Sequence, residues 1–245
     1  AVERAGAETD SVVIQNQTPK QLEESIDVIK AKLAESQILM FPGGFSAGDE
    51  PDGSGKFMAT LFRNPYLAEG LENLLYKQDG LVLGICNGFQ ALIKLGLLPS
   101  GHIETLTADH PTLTYNTIGR HLSRMVNTKV ISTKSPWMSD AKAGEIYTVP
   151  ISHGEGRFIA SPQQVLEFNK TGQIATQYVD FDGIASMDSR FNPNQSVAAI
   201  EGIYSPDGRI FGKMAHSERC GTGISKNIPG QLEMPIFTSG VKYFK

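Results

Sequence analysis

The 245-residue sequence holds only two cysteines, Cys86 and Cys220, and a single tryptophan. The thiols lack the close spacing of a zinc site or a secreted disulfide framework, so at least one of them is read as free. Long hydrophobic runs are missing as well. No apolar stretch approaches the ~20 residues that span a bilayer, and the amino terminus lacks the basic-then-apolar layout of a signal peptide. The formal net charge is −4 and no dense stripe of Lys or Arg occurs, so the electrostatic footprint of a nucleic-acid binder is absent. These absences argue against a membrane or a nucleic acid as partner and predict a soluble, cytoplasmic protein.

What is present is the composition of an ordinary globular domain, 40% hydrophobic and 20% charged. Residues 1–8 read as the end of a helix, with Gly6 suited to a left-handed stop. No strand precedes them, and this predicts a chain cut from something longer. Ser11-Val12-Val13-Ile14 reads as a short strand. Residues 18–35 read as a helix with Leu22, Ile26, Ile29 and Leu33 on one face.

Ile38-Leu39-Met40-Phe41 is a continuous apolar run ending in Pro42-Gly43-Gly44, as a doubly buried parallel strand would. A helical stretch over 56–77, broken at Asn64-Pro65, leads to the apolar strand 81–85, and a short amphipathic helix covers 87–95. This alternation predicts an α/β fold, a doubly wound and mostly parallel sheet with helices on both faces. Residues 106–132 turn to β-like alternation broken by Asn116-Thr-Ile-Gly119, which predicts a hairpin or a small annexed sheet. Further β-like runs cover 146–151, 173–178, 197–203 and 209–214, the last two joined by the turn Ser205-Pro-Asp-Gly208.

Cys86 lies directly after a predicted buried strand and before a helix, inside Gly84-Ile85-Cys86-Asn87-Gly88. This resembles a nucleophile elbow, a turn so sharp that side chains two residues before and after the nucleophile would collide. The helix start at Asn87 would place N–H groups and positive partial charge beside the sulfur, which predicts a thiolate at neutral pH. The Asn87 N–H is also placed to face an oxyanion. The competing reading is a buried structural cysteine in a glycine-rich turn.

A strand over 209–214 runs into Ala215-His216-Ser217-Glu218. Two residues apart in an extended or turning segment, Glu218 and His216 project to one side, so the carboxylate can accept the second imidazole N–H and fix its tautomer. A surface pair at a strand end is the alternative. The loop Phe41-Pro42-Gly43-Gly44-Phe45-Ser46-Ala47-Gly48-Asp49 lacks the Lys of a phosphate-binding loop. An oxyanion donor from Gly44 or Phe45 fits it better; a plain strand-to-helix turn is the other reading. The run His153-Gly154-Glu155-Gly156-Arg157-Phe158 lines a site or binds a partner, or serves only structure. His153 stands as a competing general base, or with Glu155 as half of a metal site that has no further well-spaced ligands.

Taken together, Gly-Ile-Cys-Asn-Gly-Phe-Gln, Phe-Pro-Gly-Gly-Phe-Ser-Ala-Gly-Asp, His-Gly-Glu-Gly-Arg-Phe and His-Ser-Glu-Arg resemble the class I glutamine amidotransferases. More narrowly, they resemble the glutaminase component of phosphoribosylformylglycinamidine synthases. The resemblance spans almost the whole chain. It implies a flavodoxin-like amidotransferase fold, and residues 1–245 as a single domain, the C-terminal part of a longer synthase.

The resemblance further implies that Cys86 attacks the side-chain amide of glutamine, His216 protonates departing ammonia, and water releases glutamate from a thioester. Glu218 would orient His216, Gln90 hold the substrate, and the N–H groups of Gly44, Phe45 and Asn87 surround the oxyanion. No cofactor is implied for this domain. ATP and magnesium would belong to a partner synthetase domain that receives the ammonia. Two departures from the family pattern stand out. The usual first strand is missing, and Ser217 takes the place where proline often separates the histidine and glutamate. Two alternatives remain beside this reading: a cysteine hydrolase or chaperone-like relative of the same fold, and a catalytically weak docking or regulatory domain.

Overall fold

The computed structural model describes residues 1–44 and 55–245. Glu3–Ala5 form one 3-10 turn closed by Gly6 in the left-handed conformation, as predicted. Helix α1 (Pro19–Glu35) starts where the sequence signals it. Thr18 accepts a hydrogen bond from the Gln21 N–H and Pro19 occupies the first turn, where its missing donor costs nothing. Ile29 and Leu33 are buried on its inner face, and Leu33 packs into the space left by Gly70.

The strand predicted at 11–14 does not form. That segment runs along α1 instead, with Asp10 paired to Lys32 and the Gln15 N–H donated to Ser25 Oγ, while Val13 stays 81% exposed. β-branched residues favour a pleated, half-buried surface, but here the contacts of Asp10 and Gln15 hold the segment against the helix and away from any strand.

Strand β1 (Ile38–Phe41) pairs in parallel with β2 (Leu81–Ile85), in the register Ile38 to Leu81 and Phe41 to Gly84. Between them lie α2 (Lys56–Phe62) and α3 (Pro65–Tyr76), separated by Asn64, whose side chain accepts from the Tyr66 N–H. β2 is buried throughout. β1 is only half-buried except at Phe41, because it is the outermost strand among the described residues rather than a central one. Next come α4 (Asn87–Leu95) and the short α5 (Leu97–Ser100), then β3 (Thr112–Tyr115), β4 (Leu122–Val130), β5 (Ile146–His153) and β6 (Glu155–Ile159). The chain continues through α6 (Pro162–Lys170), β7 (Ile174–Tyr178), β8 (Ile200–Tyr204), β9 (Ile210–Lys213) and α7 (Ile236–Lys242).

Among the described residues seven strands form one sheet in the order β1-β2-β9-β8-β7-β4-β5. The class is α/β, as predicted, but the parallel part is confined to β1, β2 and β9; every pairing beyond β9 is antiparallel. The tight turn Ser205–Gly208 dictates this change at β8–β9, since so short a link joins only antiparallel neighbours. The annexed β region is therefore mostly a continuation of the main sheet. A separate two-stranded sheet pairs β3 with β6. β3 and β4 do not form the expected hairpin: the Asn116 N–H and side chain are taken by the carbonyls of Gly154 and His153, which sends the two strands to different sheets. Among the described residues no helix is long and apolar enough to cross a membrane.

Candidate active site

At the end of β2 the chain reverses direction at Cys86, with φ 53° and ψ −108°, and enters α4 at once, the Gln90 N–H donating to the Cys86 carbonyl. Holding a non-glycine residue in this region costs on the order of 1–3 kcal/mol and persists only where the surroundings enforce it. The surroundings here are close. A Cβ on Gly84 would stand 2.8 Å from the Gly88 carbonyl, and one on Gly88 would stand 2.0 Å from the Phe41 carbonyl oxygen. Neither glycine takes a positive φ. Both are required by approach distance, which is the crowding the elbow reading predicts.

The electrostatics differ from the sequence expectation. Cys86 is 6% exposed, and burial pushes its thiol up to about 12, against a smaller opposing pull from the Asn87 N–H and Arg219. The helix start does favour the thiolate, but desolvation outweighs it. The resting sulfur is a thiol, donating to the Ser152 carbonyl at 3.7 Å.

β9 carries the chain to His216, which is 1% exposed and whose backbone N–H donates to the Pro150 carbonyl. Its Nδ1 lies 2.5 Å from Glu218 Oε1. Burial raises the Glu218 carboxyl, yet the hydrogen bond and charge of His216, with a backbone donor and Lys213, outweigh it and leave the group below its ordinary value. An ionised Glu218 accepts the Nδ1 proton and fixes which face of the ring it turns to the carboxylate. Nε2 has no hydrogen-bond partner among the described residues. A Cβ built on Gly43 would lie 2.7 Å from His216 Cε1 and 3.3 Å from Cys86 Cβ, so the imidazole and the thiol flank the same small volume.

The remaining predicted residues line this volume or support it. Gln90 is buried and donates its Nε2 to the Glu155 carbonyl at 2.7 Å, which ties α4 to the start of β6, while its Oε1 has no partner among the described residues. His153 ends β5 with its ring packed over Gly156, where a Cβ would meet it at 2.4 Å. Burial, then the charges of His216 and His121, push its imidazole down to about 3, which holds it neutral. Glu155 is buried, and Arg157 lies half-buried on β6 opposite Thr114. Gly44 is exposed with φ 124°, and no described atom lies within 4 Å of a Cβ built on it. Phe45 lies outside the described residues.

Residues 1–244 match the family described as the CobB/CobQ-like glutamine amidotransferase domain. The chain belongs to this family. The amidotransferase domain is 36% identical to phosphoribosylformylglycinamidine synthase subunit PurQ of Methanococcus maripaludis strain C5, over 100% of this chain and 91% of that protein. It is 36% identical to the protein of the same description from Dehalococcoides mccartyi, over 99% of this chain and 90% of the relative. Among solved structures it resembles one described as PurLQS from Thermotoga maritima, with a TM-score of 0.62, 26% identity and coverage of 85% and 80% of the two chains.

The region around His153 is also held by residues that no sequence motif singles out. Asn194 donates to the Gly156 carbonyl at 2.6 Å and Ser196 to the same oxygen at 3.3 Å, pinning the turn that carries His153. They come from an irregular segment before β8, where no local pattern signals a distant partner. Gly43 reads in the sequence only as loop; its neighbour Pro42 and the apolar run before it are the available signal. Among the described residues no group of three or more His, Cys, Asp or Glu is arranged to hold a metal ion.

Proposed function

We propose that this chain hydrolyses glutamine to glutamate and ammonia through a Cys86 thioester and supplies the ammonia to a synthetase that makes formylglycinamidine ribonucleotide in purine biosynthesis. The observation that carries the reading is the convergence of Cys86 and His216 on the space beside Gly43, with Glu218 holding the far side of the imidazole. The names of the relatives supply the client reaction: they are phosphoribosylformylglycinamidine synthase subunits.

With glutamine at the mouth beside Gly43 and Gly44, His216 Nε2 takes the Cys86 proton as the sulfur attacks the side-chain amide carbon. Negative charge collects on the amide oxygen, where the Asn87 N–H and the glycine loop donate. The imidazolium then returns its proton to the departing nitrogen, the C–N bond breaks, and ammonia leaves a glutamyl thioester. Water, deprotonated by the same nitrogen, attacks the thioester; glutamate departs and the thiol is restored. Because the resting thiol is protonated, this proton transfer is part of the attack rather than a preliminary. ATP and magnesium serve the amination on the synthetase, and the water-soluble reactants support a cytoplasmic location.

The test incubates the protein with glutamine, and separately with a diazo-ketone glutamine analogue, with and without the synthetase. Glutamate release and labelling of Cys86, both abolished in Cys86→Ala, are expected. A wild-type protein that neither releases glutamate nor takes label in the presence of synthetase would sink the reading.

A further inference from the structure

Directly beneath the His216 turn lie Glu201 of β8 and Lys213 of β9, with no exposed side-chain surface on either and 3.3 Å between Nζ and Oε1. Lys213 Nζ donates to the Ala215 carbonyl at 2.9 Å and to Ser217 Oγ at 2.9 Å. Glu201 Oε1 accepts the Ala215 N–H at 2.6 Å, and Oε2 accepts from Thr176 at 2.5 Å. The pair thus grips the residues on both sides of His216. Lys213 also reaches the other half of the site: its backbone carbonyl accepts the Cys86 N–H at 2.8 Å. One residue therefore holds the thiol turn through its main chain and the imidazole turn through its side chain.

Stability alone is a poor reason for this arrangement. Desolvating two charges costs several kcal/mol per ion, and well-packed apolar residues of similar volume are often as stable or more so. Such a pair fixes geometry, because each of its hydrogen bonds is short and directional where an apolar contact would slide. Ser217 fits the same design. Its hydroxyl accepts one of the two hydrogen bonds through which the Lys213 ammonium holds the turn.

We propose that Lys213 and Glu201 are positioning residues that set the distance and angle between His216 Nε2 and Cys86 Sγ. The inference rests on the proposed glutaminase reaction. In the assembled enzyme, Lys213→Met/Glu201→Gln removes both charges at nearly constant volume, and Ser217→Ala removes a single acceptor with little threat to folding. Displacing a reacting group by ~1 Å costs about 100-fold in rate. The double variant is accordingly expected to lose at least ~10-fold in kcat for glutamine hydrolysis and Ser217→Ala ~3-fold or more, both with KM for glutamine within about twofold of wild type.

A lowered melting temperature with kcat unchanged at a temperature where the protein is folded would overturn the proposal and leave the pair a structural one. Should the double variant fail to fold, Ser217→Ala decides alone by the same split. A wild-type control that hydrolyses glutamine isolates this inference; a control that neither hydrolyses glutamine nor labels at Cys86 overturns both readings together.

Discussion

Gly43 approaches His216 so closely that a single added methyl group would stand 2.7 Å from the imidazole Cε1. The space between them is what separates the imidazole from the glycine loop, and Cys86 Cβ borders it at 3.3 Å. Gly43 does not take a positive φ, so alanine there tests contact and not backbone strain. Gly43→Ala should push the imidazole off line and lower kcat for glutamine hydrolysis by about 100-fold, the cost of a displacement near 1 Å. Steady-state glutamate release beside a thermal melt would check it. A variant with normal turnover would show that the ring moves aside freely.

Glu218→Gln keeps the shape of the side chain but removes the charge that holds the Nδ1 proton in place. The amide can present its N–H to Nδ1, favouring the wrong tautomer, and turnover should fall by roughly 100-fold or more. The same substitution reads out as stability. The Glu218 carboxyl is held below its ordinary value, so its ionised form contributes stability that is fully present above pH 4.5 and lost as pH falls through the lower folded-state value. The gap in melting temperature between wild type and variant should therefore be widest near neutral pH and close in acid.

His153 carries the opposite sign. Its imidazole is held neutral with a value of about 3 against 6.5 when unfolded, so the unfolded chain binds a proton that the folded one refuses throughout that window. Stability should drop as pH falls from 6.5 towards 3 on this account and be indifferent to His153 above 6.5. Replacing it with Gln should flatten the drop, measured by denaturant unfolding at a series of pH values, and leave Cys86 labelling by the glutamine analogue intact. Lost glutaminase activity with intact labelling would mean that the imidazole takes part in the chemistry after all.

At Gly88 the obstacle is main chain rather than a side chain, since an added Cβ would lie 2.0 Å from the Phe41 carbonyl oxygen. Neither β1 nor α4 can yield locally. Gly88→Ala should destabilise by about 3 kcal/mol or more, the upper range for overpacking. For a chain of this size that is a fall of roughly 6–12 °C in Tm.

Such local collisions explain why this region is legible in the sequence alone. Gly84 and Gly88 are spaced by the elbow itself, and Thr18-Pro19 and Asn64-Pro65 announce helix starts through their own hydrogen bonds. The features that the sequence hides depend on distant chain. Ser11–Ile14 has strand-like residues but is held along α1 by the contacts of Asp10 and Gln15, and β1 reads as doubly buried though its outer side is unpaired among the described residues. The antiparallel half of the sheet arises from pairings of β7, β8 and β4 that no short window encodes. The thiolate expectation fails because a helix start is visible in sequence while the depth of burial opposing it is not. Lys213 reads simply as a polar residue on a strand, because its partners Glu201 and Ser217 are set by the β8–β9 pairing and the turn beyond it.

The proton that Cys86 retains at rest has a further consequence, for durability. Peroxide and general alkylating reagents attack thiolates, and a buried thiol bonded to the Ser152 carbonyl offers them little. Reactivity is thus conditional on an occupant whose attack by the sulfur accompanies proton transfer to His216. Between turnovers the buried, protonated sulfur is thereby shielded from reagents that a permanently ionised, exposed cysteine would meet.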